Sequence, residues 1–95
     1  PVSSIIMVEA QGKKVIVHTT TQDFEAIHTM PYWLELLPSN RFFQTHRSFI
    51  VNYEHITDFD RMLVHLANSQ FDAYLTKRKY SAFKKAYLLY LESTR

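Results

Sequence analysis

The segment FFQTHRSFIVN, residues 42–52, contains two apolar runs on either side of the polar residues Gln44–Ser48. Aromatic and β-branched residues favour strands. We therefore predict a short strand over Arg41–His46 that leads into a second extended segment, Arg47–Asn52. Asn52 is expected to cap backbone groups, a common role of asparagine. The apolar residues assigned to the core are Phe42, Phe43, Phe49, Ile50 and Val51.

Upstream of this segment the chain is rich in β-branched residues. Ile5–Glu9 is predicted to be a buried strand, and Ala10–Lys13 a turn around the only glycine. Lys14–Thr20 alternates in polarity and is expected to pair back as a hairpin, and Asp23–Ile27 gives a third strand.

A short helix is predicted between the third strand and the central segment. It covers Pro31–Leu37, with Thr29 as its cap and Pro31 in the first turn, where a missing N–H costs nothing. Pro38–Asn40 ends it. The residues whose helical spacing assigns them to the core are Trp33, Leu34 and Leu37.

Downstream, three further strands are predicted before a terminal helix. They cover Ile56–Asp60, Met62–Leu66 and Phe71–Leu75, with a hairpin turn at Ala67–Gln70. Thr76 is expected to cap the helix, whose residues follow a period of 3.6. Its apolar side is predicted to contain Tyr80, Phe83, Tyr87, Leu88 and Leu91. Its basic side is predicted to contain Lys77, Lys84 and Lys85.

Length and composition limit the class of protein. The 95 residues form one domain that can bury a modest core. The chain has no cysteine, which excludes disulfides and thiolate metal sites and allows a reducing cytosol. No apolar run approaches the roughly 20 residues needed to span a bilayer, so no membrane contact is expected. Pro1–Ser4 lacks a signal-peptide pattern and a Met, which indicates a fragment of a longer protein.

Positive charge is concentrated at the end of the chain. Thr76–Arg95 holds six basic residues against one acid, whereas the residues before it hold five basic and eight acidic ones. A basic segment in an otherwise mildly acidic domain is suited to bind a polyanion on one face of the protein. A solvated helix face explains the same pattern equally well.

Residues 42–52 resemble the central phrase of the LytTR family of bacterial DNA-binding domains, F-x-R/Q-x-H-R/N-S followed by two apolar residues and V-N. Four flanking segments of this chain are also similar to the family: Ile6–Ala10, Leu34–Pro38, His55-Ile56 and Leu75–Tyr80. The resemblance covers about Ile5 to Leu91. The longer C-terminal helix, Ser81–Leu91, departs from many members and is a candidate packing or dimer surface.

The resemblance implies a mainly β fold of elongated antiparallel sheets with one short helix and a C-terminal helix. It implies a cytoplasmic output domain of a two-component response regulator, with an upstream receiver or sensor domain absent from this chain. The expected partner is double-stranded DNA that contains direct repeats. Two copies of the domain are expected to bind these repeats and to form a homodimer on the DNA. By position, the DNA-binding residues are Lys13, Lys14, His46, Arg47, Lys77, Arg78 and Lys79.

The residue types agree with this assignment independently of the family. A guanidinium can bridge guanine O6 and N7, worth about 1–3 kcal/mol of discrimination, and Arg47 and Arg78 both lie beside predicted turns. Lysines at 13, 14, 77 and 79 suit phosphates, which fix position rather than sequence. His46 has two interpretations, a donor to DNA or a structural histidine that holds the following turn.

No enzyme is expected, and no cofactor or metal. The histidines have no metal-ligand spacing, Asp58 and Asp60 lack a completing group, and one glycine excludes phosphate-binding loops. Two other functions remain open. One is a protein-interaction module whose docking face is aromatic, formed by Tyr80, Phe83, Tyr87 and Tyr90. The other is a single-stranded RNA binder that stacks bases on sheet aromatics.

Overall fold

The computed structural model describes residues 1–94. These residues form eight strands and two α-helices, with single 3₁₀ turns at Val2–Ser4, Tyr53–His55 and Lys77–Lys79. The strands are β1 (Ile5–Gln11), β2 (Lys14–Thr19), β3 (Asp23–Ala26), β4 (Phe42–His46), β5 (Phe49–Asn52), β6 (Ile56–Phe59), β7 (Leu63–Leu66) and β8 (Phe71–Tyr74). The helices are α1 (Met30–Leu36) and α2 (Tyr80–Ser93).

Five strands form one antiparallel sheet in the order β3-β2-β1-β5-β4. The β1–β2 connection has two residues, Gly12 and Lys13, because Gln11 pairs with Lys14. Gly12 has a φ of +63°, which a two-residue hairpin turn requires and which glycine adopts without a steric penalty. The turn predicted around the only glycine is therefore confirmed.

The remaining strands form a second antiparallel sheet in the order β6-β7-β8. Its β7–β8 turn contains three residues with positive φ, Ala67, Asn68 and Ser69. The backbone N–H of Ala67 donates to the His55 carbonyl at 2.9 Å, and that of Asn68 donates to the Thr57 hydroxyl at 2.8 Å. These bonds hold the turn in a conformation that residues other than glycine adopt infrequently.

The five-stranded sheet is covered on both faces. On one face Val8 and Ile50 pack with Met30 and Leu37, so that α1 closes this side. The opposite face packs against the second sheet and α2. Its cluster of buried residues consists of Ile6, Met7, Phe49, Val51, Tyr53, Val64, Leu66, Ala73, Leu75 and Phe83.

Phe83 joins α2 to both sheets. Its ring is fully buried and makes edge contacts with Phe43 of β4 at 5.5 Å and Phe59 of β6 at 5.1 Å between ring centres. The fold class is as predicted, with two antiparallel sheets, one short helix and a C-terminal helix. The described chain measures 33 × 27 × 25 Å along its principal axes.

The facing of both helices differs in part from the prediction. In α1 the helix begins at Met30, which is buried, whereas Leu34 is 40% exposed. In α2 the assignment of Leu88 and Leu91 to the core is wrong, since they are 50% and 42% exposed. The aromatic residues compete with the leucines for one helical stripe, and Phe83, Tyr87 and Tyr90 occupy it.

Candidate nucleic-acid interface

A β-bulge shapes the end of β4 that leads to the turn Arg47-Ser48. Gln44 pairs with Ile50 but His46 pairs with Phe49, so that one extra residue, Thr45, lies between them. Such bulges redirect the side chains that follow. His46 consequently lies near Phe49 and Tyr74, with ring centres 5.8 and 5.9 Å away.

His46 holds the turn and also faces a groove. Its Nδ1 accepts a hydrogen bond from the backbone N–H of Ser48 at 3.0 Å. This bond supports the structural interpretation of His46. With Nδ1 as an acceptor, a neutral imidazole carries its proton on Nε2. That N–H has no hydrogen-bond partner within residues 1–94 and is a donor available to a ligand.

The Arg47-Ser48 turn lies at the same end of the sheet as the β1–β2 turn. Glu9 pairs with Phe49, and the backbone N–H of Ala10 donates to the Ser48 carbonyl at 2.8 Å. Because β1 and β5 are antiparallel, the chain reaches the Gly12-Lys13 turn just beyond this bond. The exposed side chains Lys13 and Arg47 therefore belong to one edge.

The third basic segment, Lys77–Lys79, is fastened to the same edge. The freed carbonyl of Thr45 in the bulge accepts a hydrogen bond from the N–H of Thr76 at 3.0 Å. The Lys79 ammonium donates to the Gln44 carbonyl at 3.1 Å. Thr76 precedes a 3₁₀ turn rather than α2 itself, and its side chain makes no capping bond. The structure thus places at one edge the three segments that contain the predicted DNA-binding residues.

Most of the cationic side chains at this edge are able to contact a ligand. Within the described part of the chain, Arg47 and Arg78 form no ion pair, whereas Lys14 stands 3.9 Å from Glu25 with both side chains mostly exposed. Partial burial, with the nearby Arg78 charge, lowers the pKa of Lys79. Lys79 thus ties the turn to β4, and two of its three N–H donors remain for a ligand.

Arg61 is a cation that sequence reasoning missed. It lies in the β6–β7 turn, and its guanidinium stacks over the Tyr80 ring at 4.7 Å. The N–H of Leu75 donates to the carbonyl of Met62 at 2.9 Å, which fixes this turn beside the Lys77–Lys79 segment. The available signal was its position between the predicted strands Ile56–Asp60 and Met62–Leu66.

A groove of about 560 Å³ runs between these elements. Its floor is apolar, and its rim carries the cationic or polar groups of His46, Arg61 and Lys77. Tyr74 projects from β8 beside it and is 60% exposed.

Other polar residues of the sequence have structural partners. Asn52 is fully buried, its amide donates to the Ile5 carbonyl at 2.8 Å, and its oxygen accepts from the Glu54 N–H at 3.0 Å. The predicted capping role is confirmed. Asp60 accepts from the N–H groups of Met62 and Leu63, and these bonds lower its pKa.

Two histidines contact carboxylate side chains on the sheets. His65 stands across from Asp72 at 2.5 Å and Asp58 at 3.9 Å. His18 lies 2.8 Å from Glu9 and 2.9 Å from Asp23. Within residues 1–94, no group of three or more potential metal ligands was found, and no helix is long and apolar enough to cross a membrane.

The aromatic docking face considered from the sequence is absent from the described surface. Phe83 is fully buried, and Tyr80, Tyr87 and Tyr90 pack against the main core cluster. Burial raises the pKa of Tyr87, consistent with a position against the core. Phe83, Tyr87 and Tyr90 point inward because their spacing matches the stripe of α2 that faces the sheets.

The fold with this basic edge is that of a LytTr DNA-binding domain. A solved structure, described as the LytTr DNA-binding domain of a methyl-accepting/DNA response regulator from Bacillus cereus, is similar to this chain with a TM-score of 0.77 and 27% identity. The similarity covers 93% of this chain and 84% of that one. No curated protein sequence matches the chain. The family model for LytTr DNA-binding domains matches residues 1–88. The chain therefore belongs to the LytTR family.

Proposed function

We propose that this chain binds double-stranded DNA sequence-specifically and regulates transcription, reading bases from loops rather than from a helix. The observation that carries the proposal is the convergence of three basic segments at one edge of a β scaffold. They are linked by the hydrogen bonds Ala10–Ser48 and Thr45–Thr76, at 2.8 and 3.0 Å. A rigid edge of this kind holds side chains in register with a duplex, as base reading requires.

The residues have different roles in this proposal. Arg47 and Arg78 read guanines in the major groove, since they are exposed and form no ion pair within residues 1–94. His46 offers its Nε2 proton to a phosphate or base edge. The remaining cations contact phosphates and set the position of the domain; they are Lys13, Lys14, Arg61, Lys77 and Lys79.

The wider context belongs to the same proposal. The chain acts as the output domain of a cytoplasmic two-component response regulator, with a receiver domain upstream, and two copies occupy direct repeats as a homodimer on DNA. The similar Bacillus cereus domain comes from a protein described as a response regulator. The chain performs no catalysis and needs no cofactor, since charge and shape complementarity suffice for binding.

A binding panel tests the proposal. Fluorescence anisotropy would compare a selected duplex, a scrambled duplex and single-stranded RNA over a series of salt concentrations. We expect tight binding to the selected duplex only, with log K falling linearly against log salt because phosphate contacts release counterions. A preference for single-stranded RNA would replace the proposal by the RNA-binding alternative, in which exposed Tyr74 stacks on bases. Equal affinity for both duplexes would remove sequence specificity.

A further inference from the structure

The outward face of α2 carries leucines that no element of residues 1–94 covers. Leu88 and Leu89 are 50% and 57% exposed. A shallow groove of about 390 Å³ runs along this face. Contiguous exposed apolar residues with a polar rim mark interaction sites. This face lies opposite the buried stripe of α2 that contains Phe83.

Charge is ordered along the same face. Lys84 precedes Leu88 by four residues, and Glu92 follows it by four, so all three lie on one stripe of the helix. Lys84 and Glu92 stand about 12 Å apart along the axis, too far to pair with each other. Within the described chain neither of them forms an ion pair. The face is thus positive at one end, apolar in the middle and negative at the other end.

A face with this order of charges is complementary to a second copy of itself that runs in the opposite direction. We propose that the outward face of α2 pairs with the same face of a second copy of this chain, as an antiparallel helix pair centred on Leu88. A two-fold axis at Leu88 sets Lys84 of each chain against Glu92 of the other, because both residues lie four positions from the centre. The exposed leucines of both copies are then buried between the two ion pairs.

The size of the face limits the strength of this pairing. One helix face with two exposed leucines, Leu88 and Leu89, is smaller than the interfaces of stable dimers, which bury at least about 1,200 Å². The pair is therefore weak in dilute solution and becomes populated at high local concentration. Because the contact is two-fold symmetric, it joins chains that face each other, either free or bound at separate sites. Neighbours on one pair of direct repeats follow head to tail and do not use it.

Charge reversal of the whole 95-residue chain tests the pairing. Sedimentation analysis over a wide concentration range should detect weak self-association of the wild type. Lys84→Glu and Glu92→Lys should each lower the association constant about tenfold, since each change creates two like-charge contacts by symmetry. An equimolar mixture of the two variants should associate as well as the wild type, because every contact is then between opposite charges.

Leu88→Ser should abolish association, because Leu88 lies at the centre of the pair. Leu36→Ser, at a 56% exposed leucine on α1, is the matched control and should leave association unchanged. Circular dichroism would verify that each variant keeps its fold. A wild type that stays monomeric at all concentrations overturns the pairing. So does a mixture of Lys84→Glu and Glu92→Lys chains that fails to restore association, because another partner or register would then occupy this face.

Discussion

Arg78 lies in the middle of a cationic turn, and its neighbours determine what it can do. Lys79 is drawn against β4 by its bond to the Gln44 carbonyl, and its pKa is lowered. Lys77 faces the groove beside Tyr74. Arg78 is exposed between them, so its fork is the one most available for a base edge.

Replacement of Arg78 separates base reading from phosphate binding. Arg78→Ala should weaken binding to the selected duplex by about 1–3 kcal/mol and blur the preference at one base position. Lys77→Ala, the matched control, should weaken all duplexes alike and reduce the salt slope by about one. Anisotropy titrations on a set of single-base variants measure both effects. A uniform loss in Arg78→Ala would assign this arginine to a phosphate.

Asn52 provides a residue-scale test of the scaffold. Asn52→Ala leaves the partly buried Ile5 carbonyl and the Glu54 N–H without partners, and should lower the free energy of unfolding by about 1–3 kcal/mol. Exposed Asn40 serves as the control, since Asn40→Ala should stay within about 0.5 kcal/mol of wild type. Urea denaturation measures both. An Asn52→Ala chain as stable as wild type would contradict this account of the capping bonds.

At the scale of elements, strand pairing was more predictable than side-chain facing. The hairpin turns at Gly12 and at Asn68 follow from residue types that adopt positive φ. The bulge at Thr45 could not be predicted, because nothing in the residue types of Phe42–His46 distinguishes a bulged strand from a regular one. The facing of α2 was also ambiguous, since leucines and tyrosines both fit a buried stripe and only packing selects between them.

The second sheet carries ionisable side chains, and we expect them to make the stability of the fold depend on pH. The hydrogen bond to Asp72 raises the pKa of His65 above its ordinary value of 6.5. The contribution of the His65–Asp72 interaction to stability is therefore complete below about pH 6.5. It is lost as the pH rises through the raised pKa of His65. Asp72→Asn should return the pKa of His65 towards 6.5 and flatten this part of the pH dependence.

NMR titration of the His65 ring and urea denaturation over a pH series measure the two effects. The neighbouring Asp58, at 3.9 Å from His65, is the matched comparison, and Asp58→Asn should change the pKa of His65 less. An unchanged His65 titration in Asp72→Asn would contradict the cause assigned to the shift.

At the scale of the whole molecule, one end of the central sheet gathers residues that are far apart in sequence. Lys13, Arg47 and Arg78 belong to three separate segments of the sequence, and no local sequence pattern indicates that these segments lie close together in the fold. Their meeting depends on the antiparallel pairing of β1 with β5 and on the carbonyl that the bulge releases to Thr76. The family resemblance supplied the fold class, whereas the place of Arg61 at this edge depends on the hydrogen bond from Leu75, the residue after β8, to the Met62 carbonyl.

The most direct measurement of the loop edge is an NMR titration of the chain with its selected duplex, which follows the backbone amides residue by residue. We predict that the largest shift changes fall in residues 12–14, 46–48, 61–62 and 76–79, with little change in α1 and β3. Changes centred on α1 or on the outward face of α2, with the turns unaffected, would contradict the claim that this edge meets DNA.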